Sequence, residues 1–259
     1  MKLNTHKALR MGALAAVLAL LAQAAPAATF SYHQDDLLLG FSSKTIANEY
    51  VINLGQISSL TAGSLSLGNI GTDLVAQFGA NWYNSGDLYW GAFAATYTGP
   101  VGNDPQYTIY ATKRTGLAAL TTDVDSAQAG AASKVDSVGN VLNGKTTTAN
   151  SSFAVVQAKT TANSYTSKQN ASRSQTLAVY SYSEASFTNG VTGATLDVYQ
   201  LQPDTVGDNH AGTKVGTLSI DSSGLIVTSV PEPSTWAMLG ISVAGLVLMA
   251  VRRGKAVRA

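Results

Sequence analysis

The chain has 259 residues, of which 45% are hydrophobic and only 12% are charged, and it contains no cysteine. The absence of cysteine excludes a disulfide scaffold, a thiolate metal site and a cysteine nucleophile. The net charge of +1 hides a segregation, because residues 28–230 carry 9 basic and 14 acidic residues, a net charge of −5. That balance argues against a nucleic-acid-binding body, which needs a clustered basic patch.

The N-terminal end has the three parts of a secretory signal peptide. Lys2, Lys7 and Arg10 make a basic start, residues 11–22 are an uninterrupted apolar run, and mostly small residues follow. The run is shorter than the roughly 20 residues that span a bilayer, which favours a cleaved peptide over a permanent anchor helix. We predict a signal peptide at residues 1–27, and cleavage after Ala24 suits the sequence nearly as well.

Two strands are predicted near the start of the exported region, at residues 36–41 and 49–54. In the second of them Tyr50, Ile52 and Leu54 alternate with other residues and therefore share one face.

A short helix and a strand pair are predicted next. The helix covers residues 71–78 and has Thr72 as its N-cap. The strands cover residues 88–96 and 106–112, and the segment between them, residues 99–105, is rich in turn-forming residues.

A change of composition predicts a helical insert at about residues 115–170, which are rich in alanine, serine and threonine. Apolar residues recur there every three to four positions, which predicts a helix over residues 117–138. They are Leu117, Leu120, Val124, Ala127, Ala131 and Val135. A loop is expected at residues 139–150 and a second helix at residues 152–167, although threonines there disfavour a helix.

Four further strands are predicted after the insert, at residues 176–182, 195–201, 214–220 and 225–229. Strands on both sides of a helical insert indicate a mainly β fold class. We therefore predict a single antiparallel, sandwich-like ectodomain over residues 28–229, with a two-domain arrangement as the less favoured alternative.

Aromatic residues concentrate in one part of the predicted domain, at Trp82, Tyr83, Tyr89, Trp90, Phe93, Tyr97, Tyr107 and Tyr110. Exposed tryptophan and tyrosine rings stack on sugars, which makes Trp82, Tyr83 and Trp90 candidate carbohydrate contacts. The competing and favoured interpretation is that the aromatic residues fill the core. We expect the segment 81–86 to be the exposed part.

Motifs for catalysis are missing from the exported region. It has two histidines, His33 and His210, and it contains neither a G-x-S-x-G motif nor an S-x-x-K motif, which would mark a serine nucleophile. Glycoside hydrolysis needs two carboxyl groups about 5–10 Å apart. Asp35 and Asp36 are adjacent and are predicted to point to opposite faces of a strand.

The sequence supports a metal site no better than it supports a catalytic site. Residues 123–128 begin like a calcium loop, but Ala127 and Gln128 stand where an acidic or amide side chain and a glycine are needed. We therefore predict no metal site, no cofactor and no enzymatic activity. A secreted polysaccharide hydrolase that uses Glu184 or an aspartate pair is the least favoured alternative.

The C-terminal end, residues 230–259, begins with a stiff tripeptide, Pro231, Glu232 and Pro233. Its two prolines lack backbone donors and favour an extended, solvated chain.

An apolar segment and a basic tail complete this end. Residues 235–251 carry no charge and extend about 25 Å as a helix, at the short end of the transmembrane range. The tail, residues 252–259, opens with Arg252 and Arg253. By the positive-inside rule it stays cytoplasmic while residues 28–234 lie across the inner membrane.

This order of tripeptide, apolar helix and arginine cluster resembles the PEP-CTERM sorting signal of Gram-negative bacteria. The resemblance covers the last 30 of the 259 residues. It implies recognition of Pro231, Glu232 and Pro233 by an exosortase, removal of the tail, and transit through the inner membrane to the cell surface or extracellular matrix. The sequences DLLLGF, NEYVINLG and FGANWYNSGDLYWG are also similar to a recurring ectodomain of such proteins, which implies one domain and no named activity.

The resemblance further implies exopolysaccharide as a partner, since such proteins come from organisms that secrete it. The function we expect is that of an exported, non-enzymatic structural or interaction protein of the exopolysaccharide or biofilm matrix. The alternative is a carbohydrate-binding module that uses the region from Trp82 to Trp90.

Overall fold

The computed structural model describes residues 28–60, 66–116, 119–120, 125–169, 185–186, 195–203 and 210–229. The predicted signal peptide, the predicted strand at residues 176–182 and the predicted transmembrane helix at residues 235–251 lie outside them. Within the described residues the chain is mainly β, as its alternating patterns predict.

Ten strands and four helices make up the described residues. The strands are β1 (Asp36–Ser43), β2 (Asn48–Gln56), β3 (Ser66–Asn69), β4 (Leu88–Ala95), β5 (Ile109–Arg114), β6 (Ala154–Ala158), β7 (Ala185–Ser186), β8 (Thr195–Leu201), β9 (Thr213–Ile220) and β10 (Leu225–Ser229). The helices are α1 (Ile57–Leu60), α2 (Gly71–Phe78), α3 (Asp125–Leu142) and α4 (Tyr165–Gln169), and Trp82–Asn84 form a 3₁₀ turn.

All the strands belong to one antiparallel sheet in the order β3-β10-β9-β8-β5-β4-β1-β2-β6, and β7 pairs with β4. The sheet curls, so that its two halves face each other and supply the layers that a sandwich obtains from two sheets. The predicted antiparallel, sandwich-like fold is thereby confirmed, with a single sheet as its basis.

The inner face of the curl holds one continuous core, because side chains of a strand alternate between the two faces. Tyr50 and Ile52 of β2 lie in this core and Leu54 packs against it, as predicted. Strands from the far half contribute to the same cluster, at Leu196, Val198, Leu218, Ile220 and Ile226.

The outer face of the sheet is covered by α3. Ala131, Val135 and Val138 of this helix pack with Leu38, Phe93 and other outward side chains in a second core cluster. The predicted apolar stripe is therefore confirmed at residues 131 and 135. The predicted start is wrong, since the helix begins at Asp125 and Leu120 is buried outside it.

The predicted helix at residues 152–167 is wrong. Residues 154–158 form β6, which pairs with β2, and a short helix, α4, begins only at Tyr165. Ala154 packs inward and Val155 outward, the two-residue alternation of a strand buried on both faces. That alternation prevails over the alanine-rich composition on which the helix was predicted.

The N-cap predicted for α2 is also wrong. The helix begins at Gly71, so Thr72 lies inside its first turn, and the residue before the helix is Ile70. The side chain of Asn69 caps the turn instead, because its Oδ1 accepts a hydrogen bond of 2.9 Å from the Gly71 backbone N–H.

Gly40 of β1 faces the ring of Tyr165. A Cβ on this residue would lie 2.5 Å from three ring atoms, and Tyr165 itself stacks on Phe93 at 5.1 Å and donates a 2.7 Å hydrogen bond to the Gly91 carbonyl. We expect Gly40→Ala to lower the free energy of unfolding by about 2 kcal/mol through overpacking. Urea unfolding measures this change.

The matched control for Gly40 is Gly99, where an added Cβ meets nothing within 4 Å. We expect Gly99→Ala to leave the free energy of unfolding within about 0.5 kcal/mol of the wild type. An equal effect of the two substitutions would contradict the role assigned to the ring of Tyr165.

The two ends of the curled sheet approach each other beside β3 and β6. A Cβ placed on Gly68 of β3 would lie 3.4 Å from Cζ of Phe153, which immediately precedes β6. Helix α2 and residues 146–151 lie in this region, which we call the seam.

Candidate functional site

The seam is held by one buried carboxylate, that of Asp73 in the first turn of α2. Its Oδ2 accepts hydrogen bonds from the Tyr50 hydroxyl and the Thr148 hydroxyl, and its Oδ1 accepts one from the Asn150 amide, each at 2.7 Å. Asp73 is only 3% exposed. The carboxylate therefore joins a helix, a strand and a loop that are far apart in sequence.

Tyr50 is affected in turn by this carboxylate. Burial, followed by the hydrogen bond and the charge of Asp73, raises the pKa of the Tyr50 hydroxyl above its ordinary value. The hydroxyl therefore stays protonated and remains a donor to Asp73 throughout the physiological pH range.

A pocket of about 360 Å³ opens at the seam beside Asp73. Helix α2 supplies one wall, because residues three and four apart share a helix face. The lining residues are Asp73, Ala76, Gln77, Thr146, Thr147, Thr148, Ala149, Asn150 and Val156. Five of the nine described lining residues carry a hydroxyl or an amide group, and Val156 and two alanines provide an apolar part.

A second group of acidic side chains lies where the start of β1 meets the turn between β4 and β5. Asp35 is 1% exposed and its Oδ1 has no hydrogen-bond partner. Burial, followed by the charges of Asp104 and Asp36, raises the pKa of Asp35 to about 7. Asp104 and Asp36 have donors of their own: the Tyr110 hydroxyl bonds to Asp104 and the Asn53 amide to Asp36, both at 2.7 Å.

The acidic group does not form a metal centre in the part of the chain that the structure describes. No group of three or more histidine, aspartate and glutamate side chains there could hold a metal ion.

The structure buries both tryptophans that were candidate carbohydrate contacts. Trp82 is 2% and Trp90 is 0% exposed, and both belong to the inner core. Trp90 stacks on Phe41 at 6.0 Å, and Trp82 meets the half-buried Tyr83 edge-on at 5.3 Å. The expectation that residue 82 is exposed is therefore wrong, because the 3₁₀ turn directs its ring inward. The ring faces of Trp82 and Trp90 are therefore not available to a sugar.

The remaining chemically interesting residues are distributed over the fold. His33 is exposed, and its Nδ1 lies 3.7 Å from Oδ2 of Asp36. His210 is exposed at the start of the segment that leads into β9. Glu184 lies outside the described residues.

Glu49, in β2, is fully buried and has a structural role. It accepts hydrogen bonds of 2.7 Å from the backbone N–H groups of Tyr165 and Thr166 and one of 2.6 Å from the Gln157 amide. Burial raises the pKa of its carboxyl group, and the hydrogen bonds oppose that rise. Glu49 thus fixes the start of α4 against the sheet.

The sorting residues Pro231, Glu232, Pro233, Arg252 and Arg253 lie outside the described residues. The folded chain nevertheless continues almost to them. Ser229, the last residue of β10, pairs with Thr217 of β9. In the sequence a single residue separates Ser229 from the first proline of the tripeptide.

No helix among the residues described is long and apolar enough to cross a membrane.

Comparison with known proteins bears on the C-terminal end. A family model described as the PEP-CTERM protein-sorting motif matches residues 229–253, which include the tripeptide, the apolar segment and both arginines. No curated protein and no solved structure matches the chain. The motif begins on the last residue of β10 and implies processing by an exosortase. The chain therefore carries a PEP-CTERM sorting domain and is an exosortase substrate that is exported and sorted toward the cell surface.

Proposed function

We propose that the protein is a non-enzymatic interaction protein of the exopolysaccharide matrix at the cell surface. The single observation that carries the proposal is the sorting motif at residues 229–253, because it implies that the domain is sorted toward the cell surface. The region between the predicted signal peptide and the sorting motif also supports a role in binding. It is weakly charged, and the pocket at the seam has a wall of hydroxyl and amide groups.

The seam pocket supports binding over hydrolysis. Glycoside hydrolysis needs two carboxyl groups on either side of the scissile bond, one as acid and one as base or nucleophile. Among the described residues that line the pocket, Asp73 is the one carboxylate. Its two oxygens already accept three hydrogen bonds from Tyr50, Thr148 and Asn150, which holds it as an acceptor in place.

The sorting tripeptide is tested by replacing Pro231, Glu232 and Pro233 together with alanine. We expect the wild type at the cell surface to have lost its C-terminal tail and the variant to retain it in the membrane fraction. Intact mass spectrometry of each fraction measures this, and Ser222→Ala in an exposed turn before β10 is the control. Peptides covering residues 246–258 at full abundance in the surface protein would contradict removal of the tail.

Association with the matrix is tested separately, in cells that do and do not make exopolysaccharide. We expect the processed protein to be retained in the extracellular fraction of the first and released into the medium of the second. Equal release from both would contradict the matrix role and leave the sorting step untouched.

A further inference from the structure

The seam pocket has the chemistry of a site for a polyhydroxylated ligand. Its wall combines groups that donate with groups that accept, namely the hydroxyls of Thr146 and Thr148 and the amides of Gln77 and Asn150. The hydroxyl of Thr147 is buried and donates its hydrogen to the Ala28 carbonyl. Sugar hydroxyls both donate and accept hydrogen bonds, so a wall that contains donors and acceptors complements them. The apolar surface of Val156 suits the C–H face of a sugar ring.

Two of the polar groups in the pocket are oriented before any ligand arrives. The hydroxyl of Thr148 donates its hydrogen to Asp73 at 2.7 Å, so its lone pairs are left as acceptors. The amide of Asn150 is held by its bond to the same carboxylate. Groups fixed in this way lose little conformational freedom on binding, which favours affinity.

The charge of the pocket narrows the class of ligand. Asp73 is the one charged side chain among the described lining residues, and it is almost fully buried. The neighbouring Lys145 does not line the pocket, and its ammonium group donates a 2.7 Å hydrogen bond to the Gln157 amide oxygen. An anionic ligand would meet an uncompensated carboxylate, which disfavours uronic acids and favours neutral sugars.

The size of the pocket fits a short stretch of saccharide. A volume of about 360 Å³ lies at the lower end of the range for small-molecule sites, which suits one or two sugar rings of a longer chain.

We propose that the seam pocket binds a neutral sugar residue of a polysaccharide, and this inference rests on the proposed function in the matrix. It replaces the buried tryptophans as the carbohydrate site of this chain.

The test uses two neighbouring positions on α2. Ala76 lines the pocket, and Val75 is 46% exposed and does not. Ala76→Trp fills the pocket, and Val75→Trp adds the same ring to the same helix outside it. The processed protein and both variants are titrated with glucose and galactose, and with glucuronate and galacturonate as their anionic counterparts, and binding is followed by NMR.

We expect the wild type to bind at least one of the neutral sugars with a dissociation constant on the order of 1 mM, and its uronate at least about tenfold more weakly. Ala76→Trp should weaken binding by about tenfold or more, and Val75→Trp should leave it unchanged. Absence of neutral-sugar binding, equal binding of the uronate, or equal effects of the two tryptophans would each overturn the proposal.

The matrix experiment separates this proposal from the proposed function. If Ala76→Trp is retained by exopolysaccharide as well as the wild type, the pocket is not the binding site while the matrix role stands. If the wild type is itself not retained, the matrix role fails. The NMR titrations then decide the sugar site independently.

Discussion

Replacing Asp73 with alanine is expected to lower the free energy of unfolding by about 4 kcal/mol, the largest effect of any substitution considered. The variant loses three hydrogen bonds to a charged acceptor and leaves the hydroxyl of Tyr50 buried beside an empty space. Because these bonds join α2 to β2 and to the loop before β6, the loss opens the seam. Urea unfolding followed by tryptophan fluorescence reports it, since Trp82 and Trp90 are buried in the inner core.

Two further variants test whether the effect comes from the hydrogen bonds. Thr148→Val removes one donor from the carboxylate and is expected to cost about 1–2 kcal/mol. Tyr50→Phe removes a second donor to the carboxylate. In the Asp73→Ala background it should lower the free energy of unfolding by less than in the wild type, because the acceptor of the Tyr50 hydroxyl is already absent. A loss below about 1 kcal/mol for Asp73→Ala would show that the seam is held by other contacts.

Asp35→Asn is expected to stabilise the protein at neutral and alkaline pH. The folded state raises the pKa of Asp35 to about 7 through burial and the charges of Asp104 and Asp36, whereas the unfolded chain ionises near its ordinary value of 3.8. A raised pKa means that stability is fully present below about pH 4 and is lost as the pH rises toward 7. The free energy of unfolding that is lost through ionisation of Asp35 approaches about 4 kcal/mol above pH 7.

Asparagine removes the ionisation and keeps the shape. It also tolerates the left-handed backbone at this position, where Asp35 has a φ of 73°. We expect the variant to be about 3–4 kcal/mol more stable than the wild type at about pH 8 and nearly equal to it at about pH 4. Urea unfolding at several pH values measures the difference.

Asp221 supplies the matched control for this substitution. Its hydrogen bonds, first that from the Ser223 hydroxyl and then that from the Leu225 backbone N–H, lower the pKa of the carboxyl group. A lowered pKa means stability that is lost as the pH falls, so Asp221→Asn should not stabilise the protein at alkaline pH. A gain of equal size in both variants would show that the effect is one of net charge and not of the surroundings of Asp35.

Local patterns were sufficient to predict most of the sheet. The alternation of Tyr50, Ile52 and Leu54 identified the inward face of β2, and the spacing of Ala131 and Val135 identified the face of α3 that packs on the sheet. Each of these patterns is contained within a few residues, and the spacing of its apolar side chains determines which face of the strand or helix is buried.

The seam could not be predicted in this way. Asp73 and its partners Thr148 and Asn150 are more than 70 residues apart, and they meet because the sheet curls until its ends are adjacent. The only local signal was an acidic residue next to Leu74 in a short helix, where both turn out to be buried. Trp82 was misjudged for a related reason, since the direction of a ring in a 3₁₀ turn depends on the core beneath it.

The position of β10 has a mechanical consequence. This strand is paired with β9 on one side and β3 on the other, and it ends at Ser229, where the sorting motif begins. Hydrogen bonds in an antiparallel pair run perpendicular to the strands, so a pull along the C-terminal end shears two rows of them together. The domain therefore meets tension from its tail with a strand whose last two residues are paired with β9 and whose Ile226 and Val227 are paired on both sides, so that the doubly paired part resists peeling bond by bond.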